Sequence, residues 1–160
     1  YHKKGALAAA RKGNEINPGM RSSGTQFYIV QGELQDDSDL FLAEQTINTN
    51  IKQAYFVRIF NELSDSLRKD GAEVLPAEIQ EMTSLRLFDI PEVREPYRLN
   101  AAQINDYKAI GGTPRLDGTY TVFGEVVEGL ETVDRIASAQ TDQNDRPLTD
   151  IKILRMKIEK

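Results

Sequence analysis

The chain has 160 residues, 39% apolar and 28% charged, with a formal net charge of −5. That charge argues against nucleic acid as a main partner, because phosphate binding needs a clustered positive surface. With no cysteine there is no disulfide, thiolate chemistry or thiolate-bound zinc; no apolar run approaches the roughly 20 residues that span a bilayer.

The length fits one domain, or one domain with an insertion. The chain opens on Tyr1 rather than Met and shows no signal peptide, so we expect it to have been trimmed by processing, proteolysis or design. The expected setting is soluble, the bacterial cytoplasm or periplasm, although cysteine usage does not fix the compartment.

His2-Lys3-Lys4 reads as solvated surface, and His2 as an inert residue beside a frayed terminus. Gly5-Ala-Leu-Ala-Ala-Ala-Arg11 is small and apolar. Alanine favours helix on propensity, whereas the flanking Gly5 and Gly13 favour a short buried strand. Residues 14–24 are rich in turn formers. Residues 25–31 read as a strand, with Phe27 and Ile29 on one face and Gln26, Tyr28 and Val30 on the other.

The character then changes. Asp36-Asp-Ser-Asp39 can cap a short helix over 40–46. A second helix is expected over 51–68, with Asn50 as its N-cap, because Ile51, Tyr55, Ile59, Leu63 and Leu67 fall four apart. Pro76 suits the first turn of a helix over 76–86, with Ile79 and Met82 inward. Pro91 and Pro96 break regular structure, and Asn100 caps a helix over 101–109 that ends at Ile110-Gly111-Gly112. Residues 119–127 read as a strand and 130–139 as a helix with Leu130, Val133 and Ile136 on one face. Asp142 to Pro147 reads as a turn. Apolar parity slips within the last predicted strand, 150–158, which places a β-bulge near Ile153-Leu154.

Two blocks stand out. One is Gly5 to Arg11 with Ser23-Gly-Thr-Gln-Phe-Tyr-Ile-Val30. The other is Gly112-Thr-Pro-Arg-Leu-Asp-Gly-Thr-Tyr-Thr-Val-Phe-Gly-Glu-Val-Val-Glu-Gly129. Together they resemble the C-terminal half of the cyclophilin family of peptidyl-prolyl isomerases. The resemblance continues through Leu130 to Ile136 and Asp145-Arg-Pro147 to Ile153. The activity it implies, isomerising an X-Pro bond, means lowering a barrier of about 20 kcal/mol without breaking a covalent bond. A protein can do this by binding the twisted amide more tightly than the planar one. The required parts are an apolar cup for the ring, groups that grip the flanking carbonyls, and a fixed cationic donor.

That resemblance implies roles. Gln26 would point into the groove and hold substrate backbone. Tyr28, where the family pattern Ser-Gln-Phe-Phe ends in Phe, would line the proline pocket with Leu116 and Tyr120. Tyr28 brings a hydroxyl that needs a partner. Ala10 would offer backbone contacts, and Arg11 stands at the family's Asn. Arg115 replaces the family's tryptophan beside the pocket. Plainer readings stand beside these: an amphipathic strand for residues 25–30, an exposed strand-end charge for Arg11, and a turn for Asp117-Gly118.

The family's Phe-His-Arg and Phe-Met-Gln-Gly-Gly strands have no match in residues 1–160. The first carries the arginine usually regarded as catalytic. This chain alone is therefore expected to isomerise more weakly than an intact member, unless Arg11 or Arg115 has taken over. The expected fold is α+β: one domain, 1–160, with a cyclophilin-like antiparallel β-barrel left incomplete, barrel segments 1–34 and 111–160, and a helical insertion over 35–110. An exposed strand edge invites association, so helix 51–68 or a neighbouring chain should cover it. The expected partners are proline-containing peptides or proteins, with a dimer or the missing N-terminal half as a further partner, and no nucleic acid. No cofactor or metal is expected. Isomerisation and non-catalytic peptide or protein binding on a degenerate scaffold both remain open.

Overall fold

A computed structural model describes residues 1–71 and 74–159. The frame is a three-stranded antiparallel sheet in the order β2-β1-β3. Its strands are β1 (Ala6–Ala9), β2 (Phe27–Ile29) and β3 (Val122–Glu125). Ala8 pairs with Tyr28 on one side and Val122 on the other, and the β1–β3 register shifts between Leu7 and Ala8. Alanine overrides its helical propensity here because Ala6 and Ala8 are fully buried, where small side chains allow close approach.

Helices carry the rest. The first is α1 (Asp37–Lys69), followed by α2 (Pro76–Leu87), α3 (Pro91–Arg94), α4 (Ala101–Ala109) and α5 (Leu130–Ala137). Pro76 and Pro91 each open a helix, as a residue with fixed φ and no N–H can. Asp36 caps α1 and Asn100 caps α4, each in a reciprocal capping box, as read from the sequence.

Two helices expected over 40–46 and 51–68 are one helix, and Asn50 lies inside it. Asn and Thr at 46–50 resemble a helix boundary because their side chains compete for backbone groups. Here a tertiary partner removes the competition. Asn48 donates to the Tyr97 carbonyl at 3.1 Å and accepts from the Tyr97 N–H at 2.7 Å. The 33 residues of α1 extend about 50 Å, so the helix serves two cores. Its first half joins Leu40 to Leu99 and Tyr107, and its second joins Ile59 and Leu63 to Ile79. On α2 it is Thr83, not Met82, that turns inward beside Ile79.

The sheet is not closed, in keeping with the incomplete barrel expected, and neither outer edge, of β2 or of β3, pairs with a further strand among the described residues. Two further expectations are corrected. Residues 150–159 form no strand, so the expected bulge is absent as well. Leu154 is 94% exposed and Ile158 89%. A strand exists only against a partner, and alternation alone supplies none. Finally, residues 51–68 do not cover a sheet edge, because their apolar stripe is occupied by α2.

The insertion leaves and re-enters the frame through one closed stalk. The Gly112 N–H donates to the Glu33 carbonyl at 3.0 Å, and the Lys4 N–H to the Gly111 carbonyl at 2.9 Å. Gly32, with φ of +61°, lies so close that a Cβ there would collide with the Gly112 backbone. Glycine at both crossing points therefore allows a long helical segment to interrupt the frame without prising it open.

Candidate functional site

Ala10 follows β1 and Gln26 precedes β2, and the two pair: the Ala10 N–H donates to the Gln26 carbonyl at 3.0 Å. The Ala10 carbonyl accepts from the Ser23 N–H at 2.7 Å, so its second lone pair is what remains for a ligand. Ser23 Oγ accepts from the Gln26 N–H at 3.2 Å, while the Gln26 side chain is exposed. The next residue, Arg11, is held at three points. Its Nε donates to the Thr119 carbonyl at 2.9 Å, and its Nη1 to Asn14 Oδ1 at 2.7 Å and the Lys12 carbonyl at 3.2 Å. The guanidinium carbon then lies 4.6 Å above the Tyr120 ring, within cation–π range.

Tyr28 and Tyr120 meet edge to face, with ring centroids 6.1 Å apart. The structure thus brings Ala10, Arg11, Gln26, Tyr28 and Tyr120 together. Arg11, Gln26, Asn17 and Arg21 line one concavity, and Tyr120 lines another with His2 and Asp117. Leu116 is half-buried in the 3₁₀ turn Pro114–Leu116. Its carbonyl accepts from the N–H groups of Thr119 and Tyr120, which sets the bend at Gly118. Arg115 is not in this group. It is exposed and lines a separate cleft against the insertion.

His2 corrects the sequence reading. It is 1% exposed, not frayed. Its Nδ1 lies 2.7 Å from Asp117 Oδ1, which also accepts from the His2 N–H at 2.8 Å. The other carboxylate oxygen accepts from the Tyr107 hydroxyl at 2.6 Å. Asp117, 2% exposed, thereby ties the first residues of the frame to α4. Sequence inspection missed this hub because its members lie 115 and 10 positions apart. The one available signal was a single histidine in the chain together with the acid of the Leu-Asp-Gly turn.

Two buried atoms, His2 Nε2 and the Tyr28 hydroxyl, have no partner among the described residues. Their rings stack with centroids 6.2 Å apart. Burial pushes the Tyr28 hydroxyl up to about 12. Burial first, and then the hydrogen bond to Asp117, raises Tyr107 well above the ordinary tyrosine range.

These shifts give a sign. A raised folded-state value stabilises the fold below the unfolded value near 10, and the benefit is lost as pH climbs toward the folded value. Unfolding free energy should therefore fall between pH 10 and 12. Urea melts across that window should show a shallower fall for Tyr107→Phe than for the wild type. Parallel curves would contradict the assignment.

The pinned Arg11, the exposed Gln26 and the Tyr28–Tyr120 pair thus stand near one end of the sheet. Residues 100–158 match the family described as cyclophilin type peptidyl-prolyl cis-trans isomerase/CLD. That span begins at Asn100 and so includes α4, which the sequence reading gave to the insertion. Peptidyl-prolyl cis-trans isomerase CYP18-2 of Arabidopsis thaliana is 51% identical over 45 residues, covering 28% of this chain and 27% of that protein. Peptidyl-prolyl cis-trans isomerase-like 1 of Emericella nidulans is 46% identical over 46 residues, 29% of this chain and 28% of that protein. CYP71 of Arabidopsis thaliana is 50% identical over 48 residues, 30% of this chain and 8% of that protein. The chain therefore covers about a quarter of two of these relatives and less of the third. No solved structure matches it. Over these C-terminal residues the chain is similar to cyclophilin-type peptidyl-prolyl isomerases. Among the described residues no helix is long and apolar enough to cross a membrane.

Proposed function

We propose that the chain contributes to peptidyl-prolyl cis-trans isomerisation of proline-containing peptides or proteins, on the groove formed by Ala10, Arg11, Gln26, Tyr28, Leu116 and Tyr120. The observation that carries this reading is the immobilised Arg11. Three hydrogen bonds and the Tyr120 face hold its guanidinium, while Nη2 makes no hydrogen bond among the described residues. A fixed donor beside an aromatic wall can hold a carbonyl as the amide twists, without reorganising at the moment of reaction. Gln26 holds the flanking backbone, and Tyr28, Leu116 and Tyr120 receive the ring. The chemistry needs no cofactor. The proposed domain is one unit, with frame segments 1–34 and 111–160 and the insertion 35–110 on its glycine stalk.

Tyr28→Ala and Leu116→Ala should each weaken binding of a proline peptide by roughly tenfold or more, since burying such a side chain is worth about 1.5–3 kcal/mol. Unchanged affinity in both variants would overturn the groove assignment.

One observation favours a second reading, binding without turnover. Phe27 and Phe123, 54% and 59% exposed, meet edge to face on the open sheet. An uncovered apolar face of this kind marks an interaction surface. We propose that it takes further β-structure, from a second copy or from the other half of a barrel. Exchange spectroscopy on a bound proline peptide separates the two readings: binding without accelerated cis-trans exchange supports the second.

A further inference from the structure

One concavity shares Arg11 and Gln26 with the groove and is completed by Lys12, Arg21 and Ser22 from the loop between β1 and β2. Its volume is about 380 Å³, within the range of specific ligand sites. Asn17 holds the loop in shape. Its Nδ2 donates to the Arg21 carbonyl at 2.8 Å, and its Oδ1 accepts from the Arg21 N–H at 3.0 Å. Its own N–H donates to the Gly13 carbonyl at 2.9 Å. The rim of the concavity is therefore fixed at Arg21.

Charge is unevenly distributed along the chain. The whole carries −5, yet residues 10–26 hold Arg11, Lys12 and Arg21 against a single acid, Glu15. None of these three cations forms an ion pair among the described residues. The side chains of Lys12 and Arg21 make no hydrogen bond among them either. Like charges gathered on one wall repel, and an anion placed between them relieves that repulsion. Ser22 adds a hydroxyl whose contact, with Thr121 Oγ1, is long at 3.4 Å.

We propose that this concavity binds the phosphorylated side chain of a serine or threonine lying beside the proline of the substrate segment. Lys12 and Arg21 hold the phosphate and Ser22 donates to it. Arg11 keeps its role toward the substrate carbonyl and forms the wall between the two sites. A phosphate monoester fits better than a carboxylate, because it brings about −1.5 to −2 charge and three strong acceptor oxygens. Separate donors from Lys12, Arg21 and Ser22 match those oxygens. The proposal rests on the groove reading above, since Arg11 and Gln26 belong to both.

The test is fluorescence anisotropy on the whole 160-residue chain with labelled peptides. The set comprises a short proline peptide with serine before or after the proline, its phosphoserine and glutamate forms, and the phosphoserine peptide with alanine in place of proline. One phosphorylated proline peptide should bind roughly tenfold tighter than its unphosphorylated form, the size of one hydrogen bond to a charged group. Added salt should shrink that gain. Arg21→Ala should reduce it, and Lys12→Glu combined with Arg21→Glu should abolish it. If the plain proline peptide binds and phosphate adds nothing, or if the double variant keeps the gain, the proposal is overturned while the groove stands. An equal gain from glutamate overturns the phosphate assignment. Equal binding of the alanine peptide, or tighter binding of a single-stranded oligonucleotide, overturns the link to the groove. If no peptide binds at all, the groove reading fails as well.

Discussion

Asp117→Ala is expected to lower the unfolding free energy by about 2–6 kcal/mol, since at least two buried groups lose their acceptor at about 1–3 kcal/mol each. The carboxylate accepts from the His2 N–H and ring nitrogen on one oxygen and from Tyr107 on the other. Gln103 Nε2 approaches it at 3.4 Å. Alanine would leave the buried His2 ring without its partner and the Tyr107 hydroxyl without its acceptor, though that hydroxyl would still accept from the His2 N–H. Asp117→Asn should fall between the two, since it keeps the shape but gives up the charge and one acceptor. Urea unfolding followed by circular dichroism measures both. A loss below about 1 kcal/mol for the alanine variant would mean that the hub does not hold α4 to the frame.

Arg11→Ala is expected to lower kcat/KM for a proline peptide by about 10²-fold, the loss typical of removing one preorganised donor at a transition state. Arg11→Lys should not restore it. A lysine cannot satisfy the Thr119 carbonyl and Asn14 together while lying flat on Tyr120, because it lacks the planar fork. A reduction smaller than about threefold in Arg11→Ala would remove Arg11 from the groove and return it to the plainer role of a strand-end charge.

Features encoded in a few adjacent residues were legible before the fold was seen. The α4 boundaries follow from Asn100 at one end and Gly111-Gly112 at the other, and the buried stripe of α1 from a spacing of four. Features that need a partner were not. The run 46–50 reads as a break until Asn48 finds the Tyr97 backbone. The run 150–158 reads as a strand, but no edge receives it. His2 reads as surface until Asp117 closes over it from 115 positions away. The clustering of Arg11 with Tyr120 spans a comparable distance, and resemblance, not spacing, indicated it. Resemblance also joined Arg115 to that cluster, whereas the structure sends its side chain to the cleft beside α1.

The central claim is that Ala10, Arg11, Gln26, Tyr28, Leu116 and Tyr120 form one groove for a proline-containing segment. Amide chemical-shift mapping tests it most directly, with the 160-residue chain labelled with ¹⁵N and titrated with a short proline peptide. The account predicts saturable shifts concentrated at residues 10–11, 26–28 and 116–120, with residues 55–69 and 76–87 unmoved. Shifts confined to the helical insertion, or none at saturating peptide, would contradict it.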